Sequence, residues 1–179
     1  MSEGHAGSAV GDDSALVARA RQGDRPAFDE LYGRYRDQVY TLCLNLCDER
    51  EQAEDLLQET FVRVWRGLPK FRGGSRFGTW LHRIAVNVCR DAARRRRQRC
   101  APGREVTGPD VEMVDRVRAT LALLRPTHRT VLVLRYTLSL SYQEIAELLN
   151  WSLPKVKVTI HRAKRAFRDA YRGSEEADE

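Results

Sequence analysis

Basic side chains recur along one face of a segment near the end of the chain, at the spacing of an α-helix. In residues 153–167, Val156, Ile160, Ala163 and Phe167 fall on one side of a helical projection. The opposite side carries cations and a hydroxyl, from Lys155, Lys157, Thr159, Arg162, Lys164 and Arg165. Such groups bind phosphate oxygens and reach base edges in a DNA groove. The segment therefore favours nucleic-acid binding, although a solvated helical hairpin can show the same pattern.

A short helix with its own capping signals is predicted immediately before the basic one. Ser141 and Glu144 have the spacing of a capping box, in which each side chain bonds a free backbone N–H of the other residue. Asn150 tolerates the left-handed conformation that ends a helix, and Ser152 can cap the next helix. Two capped helices joined by a tight turn predict a helix-turn-helix whose second helix enters the major groove.

Charge is unevenly distributed along the rest of the chain. The net charge is +6, but residues 70–99 hold ten Lys and Arg against one Asp, and residues 153–172 hold seven against one Asp. Residues 48–59 instead hold six acids and one base. The two basic segments predict two separate phosphate-facing surfaces. The acidic segment is either solvated surface or a docking face for a basic protein.

Apolar periodicity predicts an all-α fold, with helices near 14–22, 25–47, 50–66, 76–97, 112–124 and 127–137 before the helix-turn-helix. Pro and Gly interrupt the pattern at 69–75 and again at 98–112. We expect two small helical domains joined by a flexible linker, the C-terminal one a helix-turn-helix. The predicted divisions are a disordered segment 1–13, a domain 14–97, a linker 98–111, a domain 112–172 and an acidic tail 173–179.

The sequence offers no sign of catalysis, cofactor binding or membrane insertion. No nucleotide-binding loop, zinc-protease motif or nucleophile elbow occurs, so we expect neither an enzyme nor a cofactor. The first residues lack the apolar stretch of a signal peptide, and no apolar run reaches the length of a membrane span, which predicts a cytoplasmic protein.

The four cysteines do not form a recognisable metal motif. Cys43, Cys47, Cys89 and Cys100 contain no C-x-x-C pair and have no His at finger-like spacing, so we predict no metal site. Buried, inert thiols are the expected role. A redox or metal-binding pair formed by Cys43 and Cys47, four residues apart on one helix, is the alternative.

Three segments in order resemble the extracytoplasmic-function group of bacterial sigma factors, the promoter-specificity subunits of RNA polymerase. They are DLLQETFVRVW at 55–65, KFRGGSRFGTWLHRIAVNVCRD at 70–91 and LSYQEIAELLNWSLPKVKVTIHRAKRAF at 140–167. The resemblance spans about residues 14–171. It implies a protein that binds core RNA polymerase, recognises the minus-35 and minus-10 elements and promotes DNA opening. A transcription regulator with a C-terminal helix-turn-helix is the rival, but residues 14–97 lack the pattern of an effector or receiver domain.

The resemblance also assigns roles to individual residues. Asp55, Gln58, Glu59 and Phe61 would bind the clamp helices of the largest polymerase subunit. Minus-10 DNA would be bound by Phe71, Arg72, Gly73, Gly74, Ser75, Arg76, Arg83, Asn87 and Arg90. Minus-35 DNA would be bound by Tyr142, Lys155, Lys157, Val158, Thr159, His161, Arg162 and Arg165.

Further partners follow from the same resemblance. The implied partners are core polymerase, through its clamp helices and its flap, promoter DNA, and an anti-sigma factor that covers the polymerase-binding surfaces. Val158 and Thr159 stand where relatives often have small polar residues and Arg. Because both can contact a thymine methyl but neither can make the bidentate guanine contact of Arg, we expect a shifted minus-35 preference.

Overall fold

The computed structural model describes residues 13–47, 49–99 and 113–175, and these residues form helices and short connections with no strand. The first domain contains α1 (Ser14–Arg21), α2 (Arg25–Leu46), α3 (Arg50–Gly67), a 3₁₀ turn (Leu68–Lys70) and α4 (Phe77–Arg99). The second contains α5 (Met113–Leu123), α6 (Pro126–Leu132), a π-helical turn (Val133–Thr137), α7 (Tyr142–Leu149) and α8 (Leu153–Glu175). The all-α prediction is confirmed. Residues 1–12 of the expected disordered segment 1–13, residues 100–111 of the expected linker 98–111 and residues 176–179 of the expected tail 173–179 lie outside the described residues.

The first domain is held together by apolar stripes that meet between α2, α3 and α4. Leu31, Val39 and Leu42 of α2 are fully buried, as are Val64 of α3 and Leu81 of α4. Each stripe recurs every three to four residues, so one side of each helix is apolar and the opposite side is left to charged groups. Burial of the stripes therefore fixes which charges the domain presents to solvent.

Aromatic rings complete this core on two sides. Phe61 of α3 makes edge-to-face contact with Tyr32 of α2, with ring centroids 4.6 Å apart. Phe71, Phe77 and Trp80 form a second cluster, in which the Phe71 and Trp80 centroids are 4.8 Å apart. Phe71 and Phe77 are buried, whereas Trp80 is half-buried. Phe77 belongs to the core, and Trp80 packs against the core from its edge.

The second domain encloses a smaller core between α6, α7 and α8. Val131, Leu134, Ile145, Val156 and Ile160 are buried there. The sequence predicts one helix over 127–137, but its last turn is π-helical, and the Leu138 N–H donates to the Val133 carbonyl at 3.3 Å. This wider turn brings the chain around to the start of α7.

The helix-turn-helix has the predicted capping. The Glu144 N–H donates to the Ser141 Oγ at 3.2 Å, and the Ser141 N–H donates to the Glu144 Oε2 at 2.8 Å, which completes the capping box. Asn150 ends α7 in the left-handed conformation, with φ 54° and ψ 50°. The predicted helix-turn-helix is therefore confirmed down to these caps.

Two arginines join the domains, each by donating to carbonyls at the end of a helix in the other domain. The buried Arg129 of α6 donates to the Asn45 and Cys47 carbonyls at the end of α2, both at 2.6 Å. Arg83 of α4 donates to the Glu147 and Leu148 carbonyls at the end of α7, at 2.8 and 3.2 Å. The last carbonyls of a helix have no partner within it and carry partial negative charge. A guanidinium therefore supplies both hydrogen-bond donors and a compensating positive charge.

Replacing Ser141 with Ala should lower the free energy of unfolding of the second domain by about 1 kcal/mol, because the N-cap acceptor of α7 is lost. Urea unfolding followed by circular dichroism measures the change. Gln143→Ala, at an exposed position of the same helix, is the control and should change stability by less than about 0.5 kcal/mol. Equal stability of Ser141→Ala and the parent protein would contradict the capping argument.

Replacing Arg129 with Met should loosen the contact between the domains, because the Asn45 and Cys47 carbonyls lose their donors. Small-angle scattering of the free protein should then show a larger radius of gyration. Arg125→Met removes the same charge from an exposed position at the start of α6 and should leave the scattering unchanged. Identical scattering curves for both variants would show that the Arg129 hydrogen bonds do not hold the domains together.

Candidate nucleic-acid and protein interfaces

The outer face of α8 presents the predicted basic surface. Val156, Ile160 and Ala163 are buried, and the residues between them point outward. The exposed members are Lys155, Lys157, Val158, His161, Arg162 and Arg165. Val158 is 49% exposed among these charged side chains. A basic helix face with a central apolar side chain matches what a groove with thymine methyl groups would accept.

Four of the predicted minus-35 residues already have partners within the domain, and one of them is Arg165, whose Nε lies 4.0 Å from the Asp169 carboxylate. The Thr159 hydroxyl donates to the Lys155 carbonyl at 2.7 Å, so its proton is engaged by the helix itself. The Arg135 guanidinium lies over the Tyr142 ring, 5.4 Å from its centroid, and also donates to the Leu140 carbonyl at 2.9 Å. The Lys155 ammonium lies 4.2 Å from the centroid of Trp151. Neither Arg135 nor Trp151 was identified from the sequence, because their part in the site depends on contacts rather than on motif position.

The loop and helix predicted to bind minus-10 DNA form a continuous, mostly exposed surface. Arg72, Gly73, Gly74 and Arg76 are exposed and Ser75 is half-buried. Gly73 has φ +74°, a conformation that side-chain-bearing residues rarely adopt, and this lets the loop turn. Asn87 and Arg90 of α4 are also exposed and lie about one helical turn apart. The surface thus follows the loop and then one side of α4.

Phe71 differs from the rest of that loop because it is buried against Trp80 and Phe77. The resemblance assigns Phe71 to the residues that would bind minus-10 DNA. The structure places its ring beneath the loop, where it supports the exposed residues, because closing the core at the end of α3 needs a large apolar side chain. Among the three rings of this cluster, Trp80 retains the most exposure.

Arg83 of the same surface is occupied by the other domain. Its guanidinium donates to the ends of α7, as described above, and Arg76 lies 3.9 Å from the Glu144 carboxylate. Two of the five N–H donors of Arg83 are engaged in this way. Movement of α7 away from α4 would release both of them for contact with DNA.

The acidic face of α3 is exposed along its length. Glu51, Glu54, Asp55 and Gln58 are exposed, whereas Phe61 is buried in the interhelical core. The resemblance groups Phe61 with the polymerase-binding residues, but its ring packs α3 against α2 beneath that face. Val62, 47% exposed, lies at the surface instead. Val62 could have been identified from the sequence as a surface residue, because it is an apolar residue that directly follows the core position Phe61.

Glu59 differs from the other carboxylates because cations of the same domain already contact it. Its carboxylate accepts from Arg63 at 2.6 Å and lies 3.6 Å from Arg95, and Arg63 also contacts Asp91 of α4 at 3.3 Å. These half-exposed pairs link α3 to α4. Glu59 is therefore partly neutralised, and the unpaired negative charge of the face is concentrated nearer the start of α3.

An apolar groove lies between α5, the π-helical turn and α8, with a volume of about 840 Å³. Leu121, Val133 and Phe167 line it, and Val117 and Tyr136 are exposed at its edge. It is a candidate protein-binding surface, because exposed apolar area of this kind marks sites of interaction.

The cysteines of the described residues are buried free thiols. Cys89 of α4 donates its S–H to the Sγ of Cys43 in α2 at 3.7 Å, and Cys47 is separate from this pair. The hydrogen bond to Cys43 and burial raise the pKa of Cys89. A thiol held protonated is a poor nucleophile, which favours the structural role. Within the described residues no group of three metal-ligating side chains occurs.

Comparisons with known proteins decide the family. The Sigma-70 region 2 family matches residues 31–99, and the Sigma-70 region 4 family matches residues 115–167. The sigma factor SigW of Bacillus subtilis is 30% identical over 177 residues, covering 87% of this chain and 95% of its own length. The sigma-H factor of Pseudomonas aeruginosa is 32% identical over 179 residues, covering 87% and 91%. The chain belongs to the extracytoplasmic-function sigma factors.

A solved structure supports the same conclusion for the fold. CnrH, solved in complex with the cytosolic domain of CnrY, is similar with a TM-score of 0.69 and 28% identity, covering 93% of this chain and 99% of CnrH. The sigma factor is a transcription initiation protein that binds core polymerase and recognises promoters, and it is not an enzyme. No helix among the residues described is long and apolar enough to cross a bilayer.

His82 of α4 is a buried titratable group within this binding domain. Its Nε2 has no hydrogen-bond partner among the described atoms, and its ring faces Tyr35 with centroids 6.3 Å apart. Burial lowers the pKa of His82 to about 4. An unfolded chain binds this proton near pH 6.5, so the native state needs the neutral ring.

Stability of the sigma factor should therefore fall as the pH drops from 6.5 toward 4, by up to about 3 kcal/mol at the lower end, since only the unfolded state takes up the His82 proton in that window. Above pH 6.5 this contribution is constant. Urea midpoints at pH 7.5 and pH 5 measure the loss. His82→Leu should reduce the difference between the two midpoints, and an unchanged difference would contradict the burial of a neutral histidine.

Proposed function

We propose that three separate surfaces of this sigma factor divide its work. The acidic face of α3 binds polymerase, the loop 71–76 with the exposed side of α4 binds minus-10 DNA, and the outer face of α8 binds the minus-35 element. The observation that carries the proposal is the placement of charge. Carboxylates are exposed on α3, whereas cations are exposed on α4 and α8.

Charge complementarity supports the assignment of α3 to polymerase. Asp55 and Gln58 lie one turn apart and are exposed, so both reach a partner helix from one side. Carboxylates that face Arg on a partner make strong, directional hydrogen bonds. Glu59 is held by Arg63 and Arg95, so we assign it to the edge of this surface, and Val62 adds an apolar contact beside it.

The minus-10 surface suits a strand whose bases have left the duplex. Arg72, Arg76 and Arg90 follow the phosphates, while Gly73 and Gly74 leave room for close approach to the backbone. Cationic grooves bind single strands in this way, with aromatic surfaces that add roughly 1–3 kcal/mol per stacked base. We assign the stacking surface to Trp80, because Phe71 and Phe77 are buried.

The minus-35 surface suits an insertion into the major groove. Lys157, His161 and Arg162 are exposed beside Val158 on α8, and Lys155, Tyr142 and Arg165 lie toward its margins. Arg162 is the side chain best suited to read guanine, because a guanidinium donates two parallel hydrogen bonds. Thr159 presents its methyl group more readily than its hydroxyl proton, which bonds the helix backbone.

We expect promoter binding by both domains to be accompanied by opening of the closed arrangement. Arg83 belongs to the minus-10 surface, yet it donates to the carbonyls at the end of α7. Binding of polymerase to α3 and of its flap to the groove beside α8 would separate the domains and release Arg83. An anti-sigma factor that covers the same polymerase-binding surfaces would keep the protein inactive in the cytoplasm, and the complex of CnrH with CnrY supports this class of partner.

Replacing Asp55 and Gln58 together with Ala should weaken binding to core polymerase at least tenfold, because a charge-assisted contact worth about 1.5–3 kcal/mol is lost. Arg162→Ala should leave that binding unchanged and weaken holoenzyme binding to the minus-35 element, again by about tenfold. Fluorescence anisotropy with core polymerase and with promoter duplex measures both quantities.

The matched control for α3 is the double change Asp29→Ala with Gln38→Ala, which removes the same two residue types from α2. This variant should bind polymerase as the parent does. If the α3 variant binds polymerase normally, or if Arg162→Ala loses polymerase binding to the same degree, the division of labour is wrong.

A further inference from the structure

Trp151 lies in the turn between α7 and α8, and its ring is fixed from both sides. The indole is half-buried and packs against the core of the second domain. The backbone N–H of Trp151 donates to the Ala146 carbonyl at 2.9 Å, which closes the end of α7 after the left-handed Asn150. The backbone bond fixes the turn and the core packing places the indole, so the ring offers an aromatic face next to the start of α8.

The Lys155 ammonium lies over that face, with its Nζ 4.2 Å from the ring centroid. Lys155 is exposed and belongs to the first turn of α8. A cation is unfavourable at the positive N-terminal end of a helix, and a free lysine stem samples many rotamers. Attraction between the ammonium and the ring offsets the unfavourable charge at the helix N-terminus. It also limits the rotamers that the lysine side chain adopts.

We propose that Trp151 is a positioning residue for promoter binding, which holds the Lys155 ammonium where it donates to a backbone phosphate of the minus-35 duplex. The ring covers one side of the ammonium and leaves its other N–H groups free to donate. Because the lysine is ordered before DNA arrives, less conformational entropy is lost on binding. The proposal rests on the assignment of α8 to the minus-35 element.

Two simpler roles for the same contact make different predictions. Trp151 could only fill the turn, in which case its replacement would lower stability and weaken DNA binding regardless of which residue occupies position 155. In the second role, Lys155 does no more than cover the Trp151 ring, and its charge then does not contribute to DNA binding. A double-mutant cycle separates these roles from positioning, because only positioning makes the two effects depend on each other.

The experiment compares Trp151→Leu, Lys155→Met and the double variant, each assembled with core polymerase. The probe is the promoter duplex that the parent holoenzyme retains from a randomised pool, and its Kd is measured over a series of salt concentrations. Lys155→Met should lower the salt slope by about 0.9, the value for one lost phosphate contact. Trp151→Leu should weaken binding alone but change little in the Lys155→Met background, which gives a coupling of about two- to five-fold.

Lys157→Met is the matched control, since it removes the same charge from the same helix two residues further along, on a different side. Its effect should be additive with that of Trp151→Leu. Trp151→Phe keeps an aromatic ring in the turn, so its Kd for the promoter duplex should lie between that of the parent and that of Trp151→Leu. This variant tests the proposal if Leu at position 151 disturbs the fold.

Additive effects of the Trp151 and Lys155 changes, or an unchanged Kd and salt slope in Lys155→Met, would overturn the positioning role. Arg162→Ala, measured on the same duplex, distinguishes this failure from failure of the proposed function. If Arg162→Ala loses binding while the Trp151 and Lys155 changes are additive, α8 still reads the minus-35 element and only the positioning role is wrong. If neither Arg162→Ala nor Lys155→Met affects binding, both proposals fail.

Discussion

The burial of one apolar stripe on each helix decides which charges this protein presents to its partners. In α3 the stripe that contains Phe61 and Val64 turns Asp55 and Glu54 outward, whereas in α8 the stripe of Val156 and Ile160 turns out lysine and arginine. Hydrophobic burial therefore does more than stabilise the domains, because it also separates opposite charges onto different surfaces. A helix rotated by one position would bury part of its charge and expose part of its core.

The same constraint explains why the two domains meet where they do. Backbone carbonyls at the ends of α2 and α7 accept hydrogen bonds from across the domain boundary, donated by Arg129 and Arg83. These bonds satisfy polar groups at both helix ends. In the proposed function they are exchanged for contacts with DNA and polymerase.

Much of this arrangement could be predicted from the sequence, because its signals are local. The capping box of Ser141 and Glu144, the left-handed Asn150 and the apolar stripes each depend on residues a few positions apart. What could not be predicted depends on tertiary contacts: the burial of Phe71 under its own loop, the pairing of Glu59 with Arg63 and Arg95, and the contact of Arg83 with α7. The π-helical turn at 133–137 was also missed, since its hydrogen-bond pattern leaves no periodic mark distinct from an α-helix.

The central claim is that segregated charge lets one small helical chain link RNA polymerase to promoter DNA. Run-off transcription tests it most directly, with the purified full-length chain, core polymerase free of any sigma factor, and a pool of genomic promoter fragments. We expect transcripts from discrete start sites that appear only when the chain is added. Failure of the chain to associate with core polymerase, together with the absence of any discrete start site, would contradict the account.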